Sequence, residues 1–282
     1  MDFDRLVRQI GDDILERLKN GSNGTPPRQT AHCACETSVS RVEGSSVIPA
    51  AGSWEPPPEG IAGLIDHTLL KPDATAEEIS RLCAEAREHR FTAVCVHPVW
   101  VARAVRELQG AQVKTASVVG FPHGATVTPA KCAETEQVLK LGAAEVDMVI
   151  HVGALKANDL DAVYCDIRAV VELAHSAGAL VKVILEMALL NEEQKINGCV
   201  LAKLAGADFV KTSTGFGPSG ANAAGVALMR SVVGPEMGIK AAGGIRSFQM
   251  FRELMAAGAT RIGASAGISI LREATAFAAE RR

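Results

Sequence analysis

Four ionisable residues interrupt apolar runs rich in valine and isoleucine: Asp147 in EVDMVIH, Lys182 in LVKVILE, Lys211 in DFVKTS and Lys240 in GIKAAG. Removing an ammonium or a carboxylate from water is costly unless the group is paired or neutralised. A single such residue has an ordinary structural explanation as a snorkelling side chain or a local counter-charge. Four in runs of one kind, gathered at one end of a shared core, are expensive as structure and make sense as chemistry. Lys211 is the nucleophile candidate, because its run gives way directly to the small, polar TSTGFGPSG. Burial and a neighbouring ammonium both disfavour its charge, and a neutral lysine amine attacks carbonyls to form a Schiff base. Lys240 on the next run would supply that like charge. Asp147 would move protons, directly or through a water.

Glycine supplies the other half. STGFGPSGA, AAGGIRS and GASAG follow three consecutive apolar runs. Glycine-rich turns that open helices expose backbone N–H groups to an anion, and the helix dipole adds to the attraction. Three in succession form a phosphate site. His67, His97, His123 and His151 raise a metal alternative, but they show no HxH or HExxH spacing, and His97-Pro98 and Pro122-His123 read as turns. No metal is expected.

The elements that must position these residues follow a repeating rhythm from residue 61 onward. Strand candidates fall at 61–66, 91–97, 113–120, 145–151, 180–186, 208–213, 238–243 and 261–265, with amphipathic segments such as TAEEISRLCAEAREH between them. Gly142, Gly178, Gly206 and Gly258 each stand where a helix should stop before the next strand. Eight such units predict a parallel (β/α)8 barrel, with chemistry at the C-terminal ends of the strands. A doubly wound sheet is the alternative fold. It would usually carry GxGxxG after the first strand, where this chain reads IDHTLLKPDAT.

Ahead of the barrel lie two further segments. In residues 1–20, Phe3, Leu6, Val7, Ile10, Ile14 and Leu18 repeat at helical spacing, predicting an amphipathic helix. Residues 21–60 are rich in Gly, Ser and Pro and read as a flexible linker, leaving 61–282 as the barrel domain. His32, Cys33 and Cys35 in that linker are a weak metal or redox signal without a second ligand cluster. The seven cysteines include no CxxC pair, and the chain opens without a signal peptide, so a cytoplasmic setting is expected. A net charge of −3 gives no electrostatic reason to expect nucleic acid or an anionic membrane as a partner, and no apolar run approaches the roughly 18 residues that span a bilayer.

Residues 61–280 resemble the deoxyribose-phosphate aldolases, class I Schiff-base enzymes. The matching stretches are LIDHTLLKPDAT, VCVHPVWV, VVGFPHGA, EVDMVIHVGALK, VKVILE, ADFVKTSTGFGPSGA, GIKAAGGIRS and RIGASAG. The resemblance implies a (β/α)8 barrel that cleaves 2-deoxy-D-ribose 5-phosphate reversibly to glyceraldehyde 3-phosphate and acetaldehyde without a cofactor, in a homo-oligomer. It implies Lys211 as the Schiff-base residue, Lys240 as the second active-site lysine, Asp147 as the proton relay and Lys182 in support. Substrate contacts are implied at Asp66, Thr68, Cys95, Thr214, Gly215, Gly243, Gly244, Ile245, Gly263 and Ser265. The chain departs from the family after Glu186, where LEMALL replaces the usual Thr-Cys or Thr-Gly pair, and in KAAGG, where KASGG or KPAGG is familiar. Neither departure touches the lysines or Asp147. Another phosphate-sugar barrel, such as an epimerase or a metal-dependent aldolase, and a catalytically retired scaffold are the competing readings. Residues 1–20 resemble the encapsulation peptides of bacterial microcompartment cargo, which implies a shell protein or another cargo helix as partner and a location inside such a compartment; packing on the chain's own barrel, oligomerisation and a membrane surface are the alternatives, the last weakened by the absence of a basic excess.

Overall fold

The computed structural model describes residues 9–17, 54–57 and 60–280. Residues 9–17 form a helix, α1. Eight parallel strands close into a barrel in chain order: β1 (Ile65–Leu69), β2 (Ala93–Val96), β3 (Lys114–Val119), β4 (Glu145–Val149), β5 (Leu180–Ile184), β6 (Phe209–Lys211), β7 (Gly238–Ala242) and β8 (Arg261–Ala264). The helices outside them are α2 (Ala76–His89), α3 (Val101–Glu107), α4 (Thr128–Lys140), α5 (Val152–Lys156), α6 (Leu160–Ser176), α7 (Glu192–Leu204), α8 (Ala223–Val233), α9 (Phe248–Ala256) and α10 (Gly267–Glu280).

The period-two alternation of the strands sorts side chains between two cores. Val94 and Val96 of β2, Val146 and Met148 of β4, Val181 and Val183 of β5, and Ile239 and Ala241 of β7 join the large cluster under the helices. Ala93 and Cys95 of β2 face the other way, into a small apolar cluster with Leu70, Ala116 and Val118. The same alternation turns Asp147, Lys182 and Lys240 to the inner face, since their strand neighbours on both sides belong to the outer core. One arc of the barrel interior is therefore apolar and the opposite arc is charged.

The four helix-stopping glycines hold left-handed φ values of 98° at Gly142, 72° at Gly178, 83° at Gly206 and 108° at Gly258, as C-caps require. The boundary of the first strand differs from the sequence reading. Residues Ala62–Leu64 form a 3-10 turn and β1 runs from Ile65 to Leu69, so Asp66 sits within the strand rather than at its end. A carboxylate looked like a terminator because its counter-charges come from strands far away in sequence. Glu186 likewise lies beyond β5, in a left-handed conformation with φ 51°.

Outside the barrel, Lys131 of α4 is fully buried. Its Nζ lies 2.5 Å from Asp166 Oδ2 of α6 and donates to the Val149 carbonyl at 2.8 Å, which anchors the end of the strand that carries Asp147. Gly120 leaves room for this side chain, because a Cβ there would lie 3.0 Å from Lys131 Cε.

The described part of the amino-terminal helix packs on the barrel. Ile14 is 2% exposed within the outer core, and Ile10 packs against that core. Beside α1, a groove of about 580 Å³ is lined by Asp13, Glu16, Arg17, Asn158, Asp159, Leu160 and Asp161, and it contains none of the barrel lysines. Trp54 stacks edge-on against Phe251 at 5.6 Å, and Arg252 donates to its carbonyl, so this part of the expected linker is also held on the barrel. The remaining residues of 1–60, including His32, Cys33 and Cys35, lie outside the described residues. Burying an isoleucine side chain stabilises by about 1.5–3 kcal/mol, and so short a helix is marginal without such packing. Replacing Ile14→Glu should therefore release α1. Amide exchange in residues 9–17 should rise sharply while the barrel's melting temperature moves by roughly 2 °C or less, and unchanged exchange would argue against this packing.

Candidate active site

Register brings the charged arc together. Asp147 pairs with Lys182 across β4 and β5, and Lys211 pairs with Lys240 across β6 and β7. Asp147 lies at the centre. Its Oδ1 accepts from Lys182 Nζ at 2.7 Å, and its Oδ2 accepts from Lys211 Nζ at 2.7 Å and from Lys240 Nζ at 2.8 Å. Lys240 Nζ also lies 2.5 Å from Asp66 Oδ2. Lys182 Nζ lies 2.6 Å from Glu145 Oε2, and Arg261 Nη1 lies 2.8 Å from Asp66 Oδ1 and 3.4 Å from Glu145 Oε2. The three lysines and three carboxylates are all at least nine-tenths buried.

The charge inventory is unequal. Among the described residues, three carboxylates (Asp66, Glu145 and Asp147) face four cations (Lys182, Lys211, Lys240 and Arg261), so one base is in excess. Lys240 has two carboxylates in contact, Lys182 has two at close range, and Arg261 has two. Among the described residues, Lys211 has only Asp147, which it shares. An excess cation in a buried site is relieved by losing its proton.

The proton affinities follow that inventory. Burial pushes the Lys211 ammonium down, Asp147 opposes this, and Lys240 pushes down again, leaving it below the usual lysine value. Burial pushes Lys240 down as well, but Asp147 and Asp66 overcome it and hold it above that value. Lys182 is raised in the same way, with Asp147 the largest influence opposing burial. Burial raises the Asp147 carboxyl, yet Lys182, Lys211 and Lys240 together hold it well below the carboxylate range. Like-charge proximity to Lys240 thus contributes to Lys211 as expected, with burial the larger influence.

Glu145 and Arg261 were missed as site residues in the sequence. The signal for Glu145 was present, because it stands two residues before Asp147 and so shares its face of the strand. Arg261 opens β8 opposite Lys240 in register, which only pairing across the barrel reveals. The Asp66 carboxylate, expected to touch substrate, is occupied by Lys240 and Arg261. Gly263 makes room for Lys240, since a Cβ there would stand 2.9 Å from Lys240 Cε. Cys95 is buried with its Sγ 3.9 Å from Asp147 Oδ2, and burial raises its thiol. The Thr68 hydroxyl donates to the Asp66 carbonyl.

The other expected contacts lie in the loops after β6, β7 and β8. Gly215, Gly243 and Gly244 hold left-handed φ values of 89°, 92° and 76°. The first two loops are in close contact, because a Cβ on Gly220 would fall 2.0 Å from the Gly243 carbonyl oxygen, which accepts from Ala221 N. Thr214 and Ile245 are buried beneath these loops, while Gly244 and Ser265 are exposed. The histidines do not converge. His67 Nε2 meets Glu85 at 2.6 Å, His97 Nε2 meets the Leu70 carbonyl, and His151 Nδ1 caps α5. Among the described residues, no group of three His, Cys, Asp or Glu side chains is disposed to hold a metal ion.

Comparison with known proteins gives one consistent answer. Residues 61–276 match the DeoC/LacD family aldolase. The deoxyribose-phosphate aldolase of Geobacillus sp. (strain WCH70) is 55% identical over 216 residues, covering 77% of this chain and 96% of that protein. The enzyme of the same name from Streptococcus pneumoniae serotype 19F is 56% identical over 208 residues, covering 74% and 94%. Among solved structures, the tetrameric deoxyribose phosphate aldolase from Aeropyrum pernix superposes with a TM-score of 0.74 at 37% identity, covering 78% of this chain and 93% of that one.

The shared carboxylate predicts how Lys211 answers the loss of its neighbour. Lys240→Leu removes a like charge and leaves more of Asp147 to Lys211, and both changes raise the Lys211 pKa. The acidic limb of imine formation with a small aldehyde should move to higher pH, and the rate below that limb should fall. Borohydride trapping across pH checks this, and an unmoved limb would remove the coupling.

Proposed function

This chain belongs to the DeoC/LacD aldolase family, and from that premise we infer that it is a lyase cleaving 2-deoxy-D-ribose 5-phosphate reversibly to D-glyceraldehyde 3-phosphate and acetaldehyde. One observation carries the assignment of roles. Lys211 is buried on an inner strand end, is the excess base of the ion cluster, and has its pKa lowered.

The free Lys211 amine adds to the C1 aldehyde of the open-chain sugar, and loss of water leaves a protonated imine. The C2–C3 bond then breaks. Its electron pair moves to C2 and into the imine, the C3 hydroxyl gives up its proton, and C3 leaves as the aldehyde of glyceraldehyde 3-phosphate. The resulting enamine takes a proton at C2. Water adds to the iminium, and acetaldehyde departs to restore the amine. Asp147 is ionised at rest through its three lysine contacts, so it orients the lysines and takes up a proton only in passing. Lys240, whose ammonium is stabilised, is the better proton store. Lys182 anchors the far oxygen of Asp147. The protonated imine formed on the lysine is the electron sink, and the reaction calls for no resident cofactor.

The substrate's phosphate is read into the loops after β6, β7 and β8. The left-handed Gly215, Gly243 and Gly244 and the close packing of the β6 loop on the β7 loop favour backbone N–H groups turned toward an anion. The apolar arc of Leu70, Ala93, Cys95, Ala116 and Val118 suits the deoxy carbon and the methyl group of acetaldehyde. Among the described residues, no helix is long and apolar enough to cross a membrane, and a cytoplasmic setting and a homo-oligomer are proposed with this activity.

Residues 1–20 carry a second reading, as a docking peptide for a microcompartment shell protein or another cargo helix. Its amphipathic pattern supports that, and a shell would confine the volatile aldehyde product. The packing of Ile14 adds a condition: a partner that takes this apolar face must first displace α1 from the barrel.

Two tests follow. Lys211→Arg keeps the charge but cannot supply a free amine, so it should abolish acetaldehyde release and borohydride trapping while the fold persists. Covalent labelling of that variant by acetaldehyde would overturn the role of Lys211. For the second reading, residues 1–60 fused to a fluorescent protein should form discrete foci in cells making a matching shell, and Ile10→Glu/Ile14→Glu should disperse them. Diffuse fluorescence of the unmutated fusion would end that reading.

A further inference from the structure

Glu186 stands just past β5, adjacent to the strand that ends in Lys211. Leu185 N donates to the Lys211 carbonyl, and Met187 N donates to the Thr212 carbonyl, so Glu186 lies between two bonds to the start of the β6 loop. Its side chain is 4% exposed. Its backbone is left-handed, with φ 51°, one of only three such non-glycine residues among those described. A left-handed glutamate is unfavourable and persists only where its surroundings require it.

The carboxylate accounts for that requirement. Glu186 Oε2 accepts from Thr214 N at 3.2 Å and from the Thr214 hydroxyl, and that hydroxyl oxygen accepts from Phe216 N at 3.0 Å. Gly217 closes over the same carboxylate, and a Cβ there would fall 2.8 Å from it. The other oxygen, Oε1, is buried without a hydrogen-bond partner among the described residues. One side chain thus fixes residues 214–217, which include the left-handed Gly215 and follow closely on Lys211.

We propose that Glu186 is a positioning residue for phosphate recognition: it holds the β6 loop so that the backbone around Gly215 meets the substrate's phosphate. This rests on reading the glycine loops as the phosphate site. The hydrogen bonds of the Glu186 side chain run to Thr214 and not to Lys211 or Asp147, so its contribution falls on substrate binding rather than on imine chemistry.

Because the position is left-handed, Glu186→Gly removes the carboxylate without backbone strain. That variant should raise KM for deoxyribose 5-phosphate by roughly tenfold or more, the scale of losing charge-assisted hydrogen bonds. Its kcat, its melting temperature and its kcat/KM for unphosphorylated 2-deoxyribose should stay close to wild type. Glu186→Gln keeps an oxygen acceptor and should recover most of the affinity. If glycine costs the fold, Glu186→Asn, which tolerates the left-handed region and is too short to reach Thr214, provides the same readout. An unchanged KM in a wild-type background that prefers the phosphorylated sugar would overturn the role of Glu186. Equal kinetics of the wild-type enzyme on both sugars would instead remove the phosphate site itself, and this proposal with it.

Discussion

A single buried carboxylate shared among three lysines is the constraint on which the rest depends. Asp147 has two oxygens, and Lys182, Lys211 and Lys240 all reach them within 2.8 Å. Asp66 and Glu145 bring further negative charge, and Arg261 brings further positive charge. The cluster balances only if one base is neutral. Lys211 is the base with the fewest carboxylates among the described residues, so electrical balance favours the free amine that its proposed role as nucleophile requires. Buried pairs of this kind add little net stability, because desolvation offsets most of their attraction. Their value here lies in deciding which lysine loses its proton.

The barrel provides what the cluster requires. Alternation along each strand puts the outer valines and isoleucines under the helices and turns the charged residues inward, with no change in the local pattern. Gly263 yields space to Lys240, and Gly220 lets the β6 loop lie against the β7 loop. Small apolar residues of β2 and β3, Ala93, Cys95, Ala116 and Val118, fill the remaining arc of the interior. Burial lowers the Lys211 ammonium, and the neighbouring charges determine that Lys240 and Lys182 escape the same fate.

Much of this was legible in the sequence. Eight apolar runs, their glycine stops and the four charged interruptions sufficed for the barrel and for Asp147, Lys182, Lys211 and Lys240 as neighbours. What escaped was set by distant partners. Asp66 read as a strand end because its counter-charges come from β7 and β8. Arg261 opens the last apolar run with no local mark of a partner, and only register sets it opposite Lys240. Glu186 looked like the last residue of β5, since a left-handed backbone and a bond to Thr214 leave no trace in local spacing. The amphipathic pattern of residues 1–20 showed that an apolar face needed cover but could not say whose surface would provide it. Ile14 buried on the barrel supplies one answer.

The most direct test of the charge argument is a titration of the individual lysine side chains in the folded, substrate-free protein by heteronuclear NMR, assigned by single replacements. Lys211 should lose its proton below the ordinary lysine value of about 10.5, while Lys240 and Lys182 stay protonated above it. A Lys211 that titrates at or above Lys240 would contradict the account, because the excess base of the cluster would then be a different residue.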